Sequence, residues 1–233
     1  SKPAEPYGAM QKDRLMMPMA DPVCDMCGRC AAACSGKAIA VGDTWSVDLG
    51  KCLFCRDCYD SCVHITPIPA PDYVFRKEDL IFTSKDRDRV AAGHIDREKL
   101  RRLGSSVAVR ELDTGSCNAC EAEINAMSNK YYDCSRFGIK FVASPRHADL
   151  LLVTGPMTRN MLAAAKKTYA AVPGPKLVVA CGTCAISGGL FVKGDVVGAG
   201  IGGTLPADLY VIGCPPSPGR LLVALIDALE LRH

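Results

Sequence analysis

Long apolar runs, aromatic side chains and an excess of charge of either sign are all scarce in this sequence of 233 residues. No apolar stretch approaches the roughly 20 residues that cross a bilayer. The longest candidates, Ala148 to Val153 and Leu221 to Leu229, are too short or interrupted by charge. Lys and Arg number 28 against 25 Asp and Glu, a net charge of +3, and aromatics make up 6%. That leaves neither a strong phosphate-binding field nor a row of base-stacking platforms, so no nucleic acid is expected as a partner. Ser1-Lys2-Pro3-Ala4 carries neither a twin-arginine pair nor an apolar signal core, and a cytoplasmic chain is expected. The length supports one or two domains with a sizeable core, which excludes disordered and collagen-like chains.

Cysteine is what the sequence has in quantity, with 14 residues. Eight fall in two runs of identical spacing, Cys24-x2-Cys27-x2-Cys30-x3-Cys34 and Cys52-x2-Cys55-x2-Cys58-x3-Cys62. A disulfide framework has no reason to place three thiols at three-residue steps twice over, and a reducing compartment disfavours disulfides. Zinc needs two CxxC pairs and a longer spacer, not this triplet. Three thiols at these steps wrap three corners of a cubane, and the fourth thiol of each run reaches the other cluster. The spacing therefore assigns Cys24, Cys27, Cys30 and Cys62 to one [4Fe–4S] cluster, and Cys52, Cys55, Cys58 and Cys34 to a second. This segment resembles bacterial 2[4Fe–4S] ferredoxins, except that Ser35 and Val63 stand where proline usually follows the fourth cysteine. His64, near a ligand, reads as an ordinary surface histidine.

The charged stretch 73–104 reads as a connector or a strap, with a short helix expected over Asp96 to Leu103. Its segment Phe75 to Phe82 resembles the tail after the ferredoxin fold in the two-cluster subunit of complex I and related hydrogenases. From residue 105 on, apolar strand runs alternate with helical patterns, which predicts an α/β fold with an open, mostly parallel, flavodoxin-like sheet. Strands are expected at Val107–Leu112, Ile139–Ala143, Leu150–Thr154, Leu177–Ala180 and Leu209–Ile212. Helices are expected after Cys117, with Ile124, Met127 and Tyr131 on one face, over Met157–Ala171, and from Pro218, with Ser217 as N-cap and a core stripe from Leu221 to Leu229. The domains so drawn are a ferredoxin-like unit over 1–72, the connector 73–104 and a larger unit over 105–233.

Cys117, Cys120, Cys184 and Cys214 all follow carboxyl ends of strands. Those ends share one edge of a parallel sheet, where ligands gather, so the four suit a third [4Fe–4S] cluster. Rival motifs read less well. Cys181-Gly182-Thr183-Cys184 has the form of a redox CxxC but leads into a poor helix opening, and Gly198-x-Gly200-x-x-Gly203 is followed by Thr204-Leu205-Pro206 where a dinucleotide fingerprint needs a helix. Cys134 reads as an inert, buried thiol.

Four motifs carry a resemblance over Val107 to Leu231: Gly115-Ser116-Cys117-Asn118-Ala119-Cys120-Glu121, Ser144 to Asp149, Gly182 to Gly189, and Gly213-Cys214-Pro215-Pro216. They resemble the small subunits of membrane-bound, energy-converting [NiFe] hydrogenases, including formate hydrogenlyase, and the homologous 20 kDa-type subunit of complex I. Two residues separate Cys117 from Cys120, as in the hydrogenase branch. By motif position the resemblance puts the proximal-cluster ligands on the same four cysteines, and the ferredoxin segment on the same chain departs from the usual separate subunits. No nickel site is evident. The resemblance implies an electron-transfer subunit with three [4Fe–4S] clusters, peripheral to the cytoplasmic face of a membrane through partner subunits. Its partners would be a catalytic large subunit of the [NiFe] hydrogenase or complex I 49 kDa type, further subunits of a membrane-bound complex, and a ferredoxin-like or other redox carrier. A nickel-free quinone oxidoreductase subunit, a free-standing polyferredoxin-type carrier and a zinc-binding assembly protein are the alternatives. Glu121 is the candidate proton relay, set against a helix-capping role, with Arg146 either pairing with a partner carboxylate or raising the cluster potential.

Overall fold

Alternation of apolar side chains along the strands divides the interior into two packed layers. The computed structural model describes residues 14–89, 93–104, 106–192 and 195–231; the amino terminus read for export signals lies outside them. The chain runs β1 (Met16–Ala20), α1 (Arg29–Ala33), β2 (Ile39–Val41), β3 (Trp45–Asp48), α2 (Asp57–Ser61), β4 (Ile65–Pro69), β5 (Tyr73–Val74), β6 (Ile81–Thr83) and α3 (Arg97–Leu103). It continues β7 (Val107–Asp113), α4 (Ala119–Ala126), β8 (Ile139–Phe141), β9 (Leu150–Thr154), α5 (Arg159–Ala171), β10 (Leu177–Cys181), α6 (Gly182–Ser187), β11 (Leu209–Val211) and α7 (Pro218–Ala228).

The larger sheet has the order β5-β11-β10-β9-β7-β8, parallel throughout except for β5, which pairs antiparallel with β11. Its five parallel strands follow the flavodoxin-like order, with the switch point between β7 and β9. Leu150, Leu152, Leu177, Val179, Leu209 and Val211 face one layer, completed by α7, Ile124 of α4 and Leu103 of α3. Their neighbours Leu151, Val153, Val178, Ala180, Tyr210 and Ile212 face the other, with Ala165 of α5 and Ala185 and Ile186 of α6. Strands buried on both faces read as continuous apolar runs, which is why their positions were legible.

The second layer does not end at α6. It is continuous with Met17, Met19, Trp45, Val47, Leu80 and Phe82 of the amino-terminal segment. In that segment β1 pairs antiparallel with β4, tying the beginning of the first cysteine run to the end of the second. A three-stranded sheet, β2-β3-β6, packs beside it. The charged stretch thus contributes more than a connector: Tyr73–Val74 edges the large sheet and Ile81–Thr83 completes the small one. Asp96 caps α3 by accepting from Glu98 N at 2.7 Å, which is the start that its sequence predicts.

Two local expectations are corrected. The helix after Cys117 stops at Ala126, because the Asn129 side chain accepts from Tyr131 N and Tyr132 N and turns the chain; Ile124 and Met127 are buried, but Tyr131 is exposed. Gly182–Ser187 does form a helix, closed by Gly188 at φ 87°, although its composition argued against one. Ser217 does stand at the N-cap of α7, without a side-chain capping bond.

Candidate functional site

The sequence repeat is a structural repeat. Met26 and Phe54, one residue before the second cysteine of each run, have φ 56° and 57°; Gly28 and Arg56, one residue after it, have φ 77° and 75°. The two cysteine loops follow one backbone path, and Arg56 adopts a left-handed conformation that its counterpart meets with glycine. Each loop leads into a short helix, α1 or α2, whose third thiol, Cys30 or Cys58, is buried.

All 14 cysteines are free thiols. Cys30 has Cys62 and Cys24 as its electrostatic neighbours, and Arg29 acts on Cys27 and Cys62. Cys52 has Cys34, Cys58 and Cys55. A small hollow of about 20 Å³ lies beside the second group, lined by Cys34, Cys52, Cys55 and Cys58 together with Met16 and Tyr59. Burial pushes Cys52 up to about 12 and Cys58 up to about 11, with neighbouring thiols adding repulsion. Donors offset this charge: Ala38 N donates to Cys34 Sγ at 3.2 Å and Arg29 Nε to Cys27 Sγ at 3.3 Å. His64 is half-buried and its carbonyl accepts from Asp21 N.

At the carboxyl edge of the large sheet, Cys184 faces Cys214, Cys120 and Cys117, and burial raises it to about 12. Three segments converge here. The first is shaped by Asp113, whose Oδ1 accepts from Gly115 N and Ser116 N, and by Asn118 at φ 69° before α4. The second is α6, and its glycines are required: a Cβ at Gly182, φ 81°, would lie 2.8 Å from Cys120 Sγ, and one at Gly189, φ 56°, 3.0 Å from Cys184 Sγ. The Cys214 loop is held by Thr183 N, which donates to Gly213 O at 2.9 Å.

The three groups have neighbours in common. Cys58 of the second has Cys30 of the first among its electrostatic neighbours, and Cys214 of the third has Cys55 of the second. Thr183, invisible as a functional residue in the sequence, joins the second and third: its buried hydroxyl donates to Cys52 O at 3.0 Å and Gly213 O at 3.1 Å. Ser187 Oγ donates to Gly50 O at 2.6 Å. No one-dimensional pattern signals contacts across more than 130 residues.

Glu121 lies in the first turn of α4, 8% exposed, and both its carboxylate oxygens are buried without a hydrogen-bond partner. Nearby Glu111 is raised by burial and by Glu121. Arg146 sits in an exposed 3-10 turn whose cap, Ser144 Oγ, accepts from its backbone N–H. Cys134 is buried in the layer beside α4. Cys181 is fully buried, and its thiol is driven well above the usual range by its hydrogen bond to Cys120 and then by burial. That burial, and not a missing helix, argues against a dithiol role. The Gly198–Gly203 segment forms turns without a following helix, and Gly200 packs under α6. Among the described residues, no group of three or more His, Cys, Asp or Glu is arranged round a single metal ion, and no helix is long and apolar enough to cross a membrane.

Residues 117–228 match the family described as NADH ubiquinone oxidoreductase, 20 Kd subunit. The chain is 44% identical over 128 residues to the probable membrane-bound hydrogenase subunit mbhJ of Pyrococcus furiosus, covering 55% of this chain and 77% of that protein. It is 42% identical over 132 residues to formate hydrogenlyase subunit 7 of Escherichia coli, covering 57% of this chain and 52%, about half, of that protein. A chain in the structure of the membrane-bound sulfane sulfur reductase, an archaeal respiratory membrane complex, superposes with a TM-score of 0.50 at 30% identity, over 57% of this chain and 73% of that one.

Proposed function

This chain belongs to the family of the 20 kDa subunit of NADH ubiquinone oxidoreductase, electron-transferring subunits of oxidoreductase complexes, and from that premise we propose that it is a three-cluster electron relay. The observation that supports the reading is the nearness of the three sets of thiols, with Cys58 beside Cys30 and Cys214 beside Cys55. Cys24, Cys27, Cys30 and Cys62 would hold the first [4Fe–4S] cluster, Cys52, Cys55, Cys58 and Cys34 the second, and Cys117, Cys120, Cys184 and Cys214 the third. The donor set fits: four sulfurs per group, no disulfide competing for them, and a hollow lined by the second quartet. Residues 14–83 then act as a ferredoxin-like module seated on a flavodoxin-like one.

Each cluster, when bound, takes up and releases one electron. The chain's own residues set where and how readily. Burial of Cys30, Cys52, Cys58 and Cys62 keeps water from the inner sulfurs, and the donors to Cys27 and Cys34 favour added negative charge. Thr183 holds the second and third sites at a fixed separation. The third quartet has two exposed members, Cys117 and Cys214. An apolar edge lies next to it: Leu190, Phe191, Val192 and Val196 are exposed on the segment that follows Gly189, whose backbone abuts Cys184 Sγ. A catalytic large subunit of the [NiFe] hydrogenase type docks on this edge, and a redox carrier exchanges electrons at the first quartet, where Cys27 is exposed. The complex is membrane-bound, and this chain joins it peripherally. Glu121, at the inner site, relays protons to or from the catalytic subunit.

Stoichiometry tests the reading. The full chain, loaded anaerobically with iron and sulfide, is expected to hold about twelve iron atoms in three cubanes. Eight iron, or substantial zinc after native purification, overturns it.

A further inference from the structure

Cys181 is a fifth thiol at the third quartet, with no part in the ligand sets above. It ends β10 and stands at the N-cap of α6, and none of it is exposed. Its neighbour is a single ligand. Cys120 Sγ lies 3.9 Å from the carbonyl oxygen of Cys181, and the Cys181 side chain is buried in the layer against which Cys120 packs. Gly182, between Cys181 and Thr183, lets the backbone press against the same sulfur, since a Cβ there would stand 2.8 Å from it. Three successive features of the β10–α6 junction, a carbonyl, a thiol and a bare Cα, thus converge on Cys120 Sγ.

A metal-bound thiolate has lost its proton and can no longer donate to the Cys181 carbonyl. It becomes an acceptor only, and the group placed to donate to it is the Cys181 S–H. A donor to a ligand sulfur stabilises the reduced form of a cluster more than the oxidised form, because reduction adds negative charge to the sulfurs. We infer that Cys181 is a positioning residue of the third site, whose buried thiol donates a hydrogen bond to Cys120 Sγ and raises the reduction potential of the cluster held there. This rests on the three-cluster reading and extends it: the sequence feature that mimics a dithiol motif sets a potential.

The test compares the cluster-loaded full chain with Cys181→Ala and Cys181→Ser, by iron content and by redox titration followed with electron paramagnetic resonance. All three proteins are expected to hold about twelve iron atoms. Removing the donor in Cys181→Ala is expected to lower the equilibrium constant for reduction of the third cluster about tenfold, 59 mV for one electron. Cys181→Ser, which keeps an O–H donor, is expected to restore most of that shift, and the signals of the other two clusters are expected to stay in place. An unchanged potential in Cys181→Ala overturns the inference. So does the loss of about four iron atoms in Cys181→Ala alone, which makes Cys181 a ligand. Absence of a third cluster from the unaltered chain removes the three-cluster reading, and this inference with it.

Discussion

Thr183 concentrates in one hydroxyl what the relay requires of its scaffold. It is 1% exposed and reaches the backbone of two cysteine-bearing loops, Cys52 O and Gly213 O, from a helix that carries a third cysteine, Cys184. Valine has nearly the same shape and no donor. Thr183→Val is expected to cost about 1–3 kcal/mol in denaturant unfolding and to slow electron transfer between the second and third clusters while leaving iron content intact. Unchanged stability and transfer rate would assign the hydroxyl no role. Glu121 poses a different question, since a buried carboxylate without hydrogen-bond partners is costly unless it is used. With Glu121→Gln, turnover of the intact complex is expected to fall at unchanged iron content. Full turnover with an unaltered pH profile takes Glu121 out of the proton path.

The glycine-rich loop 198–203 and α6 are one packing unit, although the loop reads as a nucleotide fingerprint. Ile201 N donates to Ala185 O at 2.8 Å, and Ile201 is fully buried. A Cβ at Gly200, φ 80°, would stand 2.5 Å from Ala185 O and 2.6 Å from Ile186 O, whereas a Cβ at Gly203 would meet nothing within 4 Å. Gly200→Ala is therefore expected to destabilise the fold by about 1–3 kcal/mol from the left-handed backbone alone, to displace α6, and to reduce occupancy of the third cluster. Gly203→Ala is expected to be nearly silent in thermal melting and iron content. Equal effects at the two glycines would contradict a packing role and revive the phosphate-binding one.

Across the assembled chain, the two modules share a hydrophobic layer instead of meeting through a linker. Ile186 of α6 packs against Gly50 so closely that a Cβ there would be 2.7 Å from its Cγ2, and Leu80 and Phe82 of the charged stretch lie in the same layer. That arrangement keeps the second and third sites together without a tether to fluctuate. It also separates their roles, because the apolar edge of Leu190, Phe191, Val192 and Val196 adjoins the third site. Cys55→Ser, which alters the ligand facing Cys214, is expected to leave binding to the large subunit unchanged in pull-down. The same change is expected to block electron exchange with an external carrier. Loss of binding from that change would contradict the layout.

Cysteine spacing, and the apolar runs that make the parallel strands, were legible in the sequence because both are local periodicities: three-residue steps repeat the corners of one cluster, and strands buried on both faces leave no polar alternation. From those two signals came the expectation of crossed quartets and the strand-end positions of Cys117, Cys120, Cys184 and Cys214. The α6 helix was missed because a six-residue helix is formed by its tertiary neighbours, Thr183 to Gly213 and Ser187 to Gly50, against its own weak propensity. The early end of α4 was decided by one Asn129 side chain. The charged stretch reads as solvated because its few apolar residues, Val74, Leu80 and Phe82, carry no period, yet each is buried at a sheet edge or seam. The order of the three sites and the contact of Cys181 with Cys120 depend on segments distant in sequence meeting across a shared core, and pairing of that kind is a property of packing in three dimensions that no window along the chain contains.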